Sequence, residues 1–143
     1  MKIKKEKGIA GIDIIIAIIA VIIFSTIIAF LIYTNVTENV KLKKETLAII
    51  GITEIFENVG IQDYENLDIG SYEDIGNNVY SDNIENLVPQ DIINMYKVDI
   101  IITNEFENVE NNEDIMKKIV VTLTYNIQDK EYICSMERMK TKE

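Results

Sequence analysis

Residues 2–33 read KIKKEKG (Lys2–Gly8), IAGID (Ile9–Asp13) and IIIAIIAVIIFSTIIAFLIY (Ile14–Tyr33). Lys2, Lys4, Lys5 and Lys7 crowd the start, offset only by Glu6, and no charge, proline or glycine interrupts the run from Ile14 to Tyr33. As a helix at ~1.5 Å per residue the run extends ~30 Å, the thickness of a bilayer's hydrocarbon core. A core helix of a soluble domain keeps a polar face, and this one has none. The run reads as a membrane span. A secretory signal peptide is the competing reading, but its apolar region covers about 7–15 residues and ends in a small-residue cleavage site. Here Ser25 and Thr26 are followed by further apolar residues.

The junction before the span carries more information than the span itself. Gly8 closes the basic cluster, and Asp13 lies five residues later at the edge of the apolar run. An ionised carboxylate costs about 2.5–3.5 kcal/mol at a membrane helix centre and less near the interface, so Asp13 is either a headgroup-level flank residue or an acid with a purpose. The basic leader ending in glycine, the apolar helix behind it and the acid at the fifth place together resemble the processing and assembly signature of type IV pilin-like and pseudopilin proteins. The resemblance implies a leader Met1–Gly8 removed by a prepilin peptidase, a mature chain beginning at Ile9 with a methylated amine, and Asp13 as the assembly residue. The family more often has Phe or Met at the first mature place and Glu at the fifth. Asp keeps the charge with a shorter reach. The proline common further along the family's span is absent here, which predicts an unkinked helix.

The charge distribution orients the chain. The formal net charge is −10, yet residues 9–143 hold 10 basic and 23 acidic groups. Lysines before the span and an acidic region after it predict a cytoplasmic N-terminus and an extracytoplasmic C-terminal domain. Such acidity argues against direct nucleic-acid binding, which needs Lys and Arg against phosphate. The single cysteine, Cys134, has no partner for an intramolecular disulfide and reads as a small apolar strand residue. With no histidine in the chain, His-based triads, His metal sites and imidazole switches are excluded.

Beyond the span, residues 34–59 continue the helix. Val36, Val40, Leu47, Ile50 and Ile55, and again Ile49, Ile52, Phe56 and Val59, recur at helical spacing, while Lys43, Lys44, Glu54 and Glu57 mark a polar side. Gly60 suits the left-handed position past a helix end. A helix from Ile9 to Val59 is ~75 Å long at standard rise and needs a partner for its outer half. Residues 60–96, with Gly70, Gly76 and Asn77-Asn78, read as irregular connection, with Pro89 opening a short helical turn as its first residue. Residues 97–143 alternate with period two. Val98/Ile100/Ile102, Ile119/Val121/Leu123/Tyr125 and Tyr132/Cys134/Met136 predict three strands, joined by a long acidic loop from Asn104 to Met116 and a short turn from Ile127 to Lys130. The fold class is therefore α+β: a long N-terminal helix, membrane-spanning in its first half (9–33) and amphipathic in its second (34–59), on a small antiparallel sheet. That is also the ladle-shaped order of the pilin family.

Residue chemistry offers no catalytic constellation. The carboxylates are many, but no spacing isolates a pair whose pKa values an apolar setting would split. Glu105, Glu107, Glu110, Glu113 and Asp114 could bind calcium, as a loop of some pseudopilins does, but they lack the residue order of an EF-hand, and calcium stays the minor alternative to the expectation of no metal or cofactor. The repeat of Phe56-Glu57-Asn58-Val59 as Phe106-Glu107-Asn108-Val109 is ascribed to biased composition. The expected function is that of a structural subunit rather than an enzyme: a cell-surface pilus or a secretion or competence pseudopilus. Its partners would be other pilin or pseudopilin subunits, the prepilin peptidase, the inner-membrane assembly platform and membrane lipid. The rival is a stand-alone, single-pass, signal-anchored membrane protein with an extracytoplasmic binding domain.

Overall fold

A single helix, α1 (Ile3–Ile61), accounts for the N-terminal part of the chain. The computed structural model describes the backbone of residues 3–108 and 113–142 and the side chains of residues 11–105 and 115–142. Two compact units are distinguished, Met1–Leu42 and Lys43–Glu143. In the first, no described residue from Gly11 to Leu42 is buried. Threonine hydroxyls on its surface bond to the helix itself. Thr26 Oγ1 donates to Ile22 O at 2.8 Å and Thr34 Oγ1 to Phe30 O at 2.8 Å. Neither needs an outside partner.

In the second unit, the last turns of α1 lie on a four-stranded sheet in chain order: β1 (Gly70–Tyr72), β2 (Lys97–Asn108), β3 (Glu113–Ile127) and β4 (Lys130–Thr141), each antiparallel to its neighbour. The α+β class is as expected, and the order of elements is pilin-like. The alternation read from sequence sets the register. Val98 pairs with Leu123, Ile100 with Val121 and Ile102 with Ile119, and all six side chains are buried on the helix-facing side. From α1 they meet Ala48, Ile52, Ile55, Phe56 and Val59. Full burial of one such aliphatic side chain contributes about 1.5–3 kcal/mol, so this layer is the main source of cohesion. Gly51 permits close packing. A Cβ there would stand 2.8 Å from Ile92 Cδ1 and 3.4 Å from Leu123 Cδ1. Ala48 and Gly51 thus belong to the core face, whereas Leu47, Ile49 and Ile50 are exposed.

Several expectations need correction. Residues 60–96 are not merely irregular. They form a 3₁₀ turn (Tyr64–Asn66), the strand β1, and short helices α2 (Asp82–Glu85) and α3 (Gln90–Met95). The sheet therefore has four strands, not three. Ile75, Ile84, Leu87 and Ile92 from this segment close the core. Pro89 is the residue before α3 rather than its first, with φ −58° and ψ 143°. Most of the expected acidic loop is strand, because β2 runs on to Asn108 and β3 begins at Glu113. Strand propensity spans only ~1 kcal/mol, so ladder hydrogen bonds outweigh the poor propensity of the acids and asparagines there. Residues 109–112 lie outside the described residues.

Gly60 does not take the left-handed conformation. Gly76, with φ 103°, is the glycine that does among the described residues. The chain stays helical to Ile61 because β4 supplies the cap. Arg138 Nη1 donates to Phe56 O at 2.8 Å, and Lys140 Nζ donates to Val59 O at 2.7 Å, to Gly60 O at 3.2 Å and to Gln62 O. Lys140 thus satisfies carbonyls that the helix end leaves unpaired, Arg138 adds a second donor to a carbonyl of the preceding turn, and both cations complement the negative end of the dipole.

Candidate functional site

The residues singled out for processing and assembly all lie on α1. Its backbone is helical through Gly8, Ile9 and Asp13. Met1 and Lys2, and the side chain of Ile9, lie outside the described residues. Asp13 is exposed and, among the described residues, has no hydrogen-bond or ion-pair partner. This differs in kind from Thr26. A hydroxyl donates back to its own helix, but a carboxylate only accepts, and the N–H groups along a helix are already used. Ala17 and Ala20 follow Asp13 at the i+4 and i+7 positions and share its face, so the helix surface around the acid is low.

From Gly11 onward α1 is apolar enough to cross a membrane, and no residue of its most apolar stretch is buried by the protein. Phe24 is 65% exposed and Phe30 64%. The exposure does not stop at Tyr33. Val36, Val40 and Leu42 are exposed in the first unit, and Leu47, Ile49 and Ile50 in the second. A lipid anchor accounts for the apolar surface up to Tyr33 and for nothing beyond it.

The sheet end of the second unit is polar, but its charges are engaged. Lys117 is 6% exposed, and its ammonium donates to Tyr64 O at 2.9 Å and Leu67 O at 2.7 Å while lying 4.2 Å from the centre of the Tyr64 ring. An ammonium is buried only at high cost unless so compensated. Together with the cap of Arg138 and Lys140, it fastens the segment after α1 to the sheet. A groove of about 640 Å³ runs between residues 59–66 and 138–142, bridged at its surface by Lys142 and Glu65 at 3.7 Å. Its converging groups are backbone carbonyls already held by lysines, which is scaffold chemistry. Neither cap was evident in the sequence, where nothing in the spacing of Lys117, Arg138 and Lys140 points to carbonyls of residues 56–67.

Near the hairpin, Tyr96 and Tyr125 meet edge to face at 5.7 Å, and Tyr125 stacks on Tyr132 at 5.9 Å. Beside them, Cys134 is a half-buried free thiol, pushed up from its usual pKa by burial and then by Glu45. It packs against the core, as the sequence suggested for a small apolar strand residue. Among the described residues no group of three or more acids or cysteines is placed to hold a metal ion. The side chains of Glu107, Glu110, Glu113 and Asp114 lie outside the described residues.

No protein-family model, no curated protein and no solved structure matches this chain. The functional reading therefore rests on the chain's own residues.

Proposed function

We propose that the chain is a structural subunit of a type IV pilus-like filament or of a secretion or competence pseudopilus. In this reading a prepilin peptidase cuts between Gly8 and Ile9 and methylates the new amine, and the subunit joins its neighbours through α1. Before assembly the N-terminus is cytoplasmic and residues 34–143 are extracytoplasmic. The partners are other pilin-like subunits, the assembly platform and lipid, and the role is structural rather than enzymatic.

The observation that carries the reading is the apolar surface of α1 past the span. Leu47, Ile49 and Ile50 are exposed on a helix whose other side is already packed on its own sheet. Exposed apolar clusters rimmed by polar residues mark interaction surfaces, and helix-to-helix packing is the simplest way to cover one. Asp13 adds a charged group with no partner among the described residues, which a neighbour's free α-amine would neutralise. The rival reading, a stand-alone anchor carrying a binding domain, needs neither feature.

Two measurements on the full chain test the proposal. Intact mass from membrane extracts should start at Ile9. A tagged copy should co-purify with co-expressed untagged subunits. An unprocessed chain that co-purifies with nothing would sink the proposal in favour of the anchor.

A further inference from the structure

We infer that the sheet continues from one copy of this chain to the next, the open edge of β4 pairing antiparallel with the β1 edge of a second, like-oriented copy. The inference rests on the assembly reading above, which supplies side-by-side copies, but it concerns a different surface from α1.

Topology comes first. The strands alternate in direction across the order β1-β2-β3-β4, so the two edge strands, β1 and β4, run opposite to each other. Copies set side by side in the same orientation therefore bring an antiparallel pair together at each junction. Pairing β4 with β4 antiparallel would require one copy to be inverted, which anchoring in a common membrane forbids.

The backbone groups needed are the outward ones of β4 and, on the β1 side, those of Ile69 and Ser71, because the N–H and C=O of Glu73 are already bonded to Tyr80 Oη and Asn78 Nδ2. Gln128 and Asp129, with φ 49° and 61°, form a two-residue hairpin turn closed by the Ile127–Lys130 pair. In such a hairpin the closing residues exchange hydrogen bonds and alternate pairs follow suit. Lys142 N donating to Ile115 O at 3.0 Å continues the same alternation. Even-numbered residues of β4 thus serve β3, and the N–H and C=O groups of the odd-numbered ones face outward. The ladder between β3 and β4 has no register shift, and β4 contains no proline to blunt the edge. Carried across the sheet, the same alternation turns even-numbered residues of β2 toward β1. Ile75 N donating to Val98 O at 2.9 Å agrees with it. Gly70 and Tyr72 are then bonded to β2, and Ser71 with the preceding Ile69 faces outward.

Side-chain complementarity selects one register. With Ile69 opposite Met139, Tyr72 falls opposite Met136 and Asp68 opposite Lys140. The exposed apolar residues Ile69 (52%), Met139 (45%) and Met136 (40%) each gain an apolar or aromatic neighbour, and no like charges meet. A slip of two residues one way sets Glu137 against Ile69. A slip the other way sets Glu73 against Glu137.

The test is disulfide trapping in the full chain in membranes. Cys134→Ser removes the native thiol, and Ile69→Cys is combined with Met139→Cys. An outward-bonded antiparallel pair has Cα atoms about 5.5 Å apart, inside disulfide range. Mild oxidation should give a ladder of dimers, trimers and larger species in the double variant and in neither single variant. Co-expressed single variants should stop at dimers, because each copy then offers one reactive edge. Absence of a cross-link specific to the double variant, while the Cys134→Ser parent still co-purifies with its copies, overturns this inference and leaves assembly through α1 standing. Failure of the parent to co-purify removes the assembly reading, and this inference with it.

Discussion

Lys140 Nζ lies 2.7 Å from the carbonyl oxygen of Val59, so the ammonium of the last strand caps the end of the first helix. The contact joins residues 81 positions apart and holds α1 to the edge of the sheet. It also explains how α1 runs through Gly60 without a left-handed glycine.

Removing this cap should be costly. Lys140→Met keeps the aliphatic stem but leaves the carbonyls of Val59, Gly60 and Gln62 without their donor. A lost charge-assisted hydrogen bond is worth about 1.5–3 kcal/mol, so a clear fall in the thermal midpoint is expected. Lys140→Arg, which keeps charge and donors, should lose less. Far-ultraviolet melting of the full chain in detergent measures both. An unchanged midpoint in Lys140→Met would show the cap to be dispensable.

Gly51 predicts a compensating pair. Gly51→Leu overfills the space where Ile92 Cδ1 would meet even a Cβ at 2.8 Å, and overpacking of this kind costs about 1–3 kcal/mol. Ile92→Ala alone opens a cavity and also destabilises. Combined, the two should be more stable than the sum of their separate losses implies. Strict additivity in the double-mutant cycle would contradict close packing of α1 on α3.

Alkaline solution should weaken the domain. Burial raises the pKa of Tyr96, Tyr125 and Cys134, and Glu45 adds to the rise for Tyr125 and Cys134. A thiol ionises near pH 8.5 and a phenol near 10 in an unfolded chain. The folded form therefore holds protons that the unfolded form releases, and stability falls as pH rises above about 8.5 and continues to fall through the phenol range. Glu45→Gln should flatten that decline. Denaturant midpoints between pH 7 and 10.5 measure it, and a stability that rises with pH in this window has the wrong sign.

How legible the fold was depended on the kind of signal. Ile100, Val121 and Leu123 announced their strands by alternation, and Ile52, Ile55 and Phe56 their helix face by spacing. β1 did not announce itself, because Gly70-Ser71-Tyr72 is too short to show a period and owes its structure to pairing with Ile100–Ile102. The strand content of residues 104–108 and 113–116 was hidden by acids and asparagines that read as loop. The Gly60 expectation failed because a helix end depends on what packs against it, and Arg138 and Lys140 arrive from the far end of the sequence. Asp13 was the reverse case. Its place before a charge-free run made it conspicuous in the sequence, and the fold adds that no described residue offers it a counter-charge.

Processing should depend on the residue at position 8. A peptidase that reads glycine there has no room for a branched side chain, so Gly8→Leu should remain at the mass of the uncut chain. Gly8→Ala should be cut slowly. Intact-mass spectrometry of membrane extracts decides the matter, and a mature Ile9 terminus in Gly8→Leu would contradict the assignment of the junction.

The central claim is that Asp13 sets the pairing between subunits. Under the proposed processing, cleavage would leave an α-amine on Ile9 with a reference pKa of about 7.7–8.0, and in the apolar layer both that cation and the Asp13 carboxylate would need a partner. Removing one member of a buried pair costs roughly 3–5 kcal/mol, enough to suppress assembly while leaving insertion and cleavage intact. The most direct measurement is the fraction of tagged subunit recovered with its co-expressed partners for wild type, Asp13→Asn and Asp13→Glu, each first verified by mass to begin at Ile9. The account predicts that Asp13→Asn is processed but largely lost from the recovered assemblies, and that Asp13→Glu stays close to wild type. Equal recovery of Asp13→Asn and wild type would contradict it, and would leave Asp13 as a residue of the membrane interface alone.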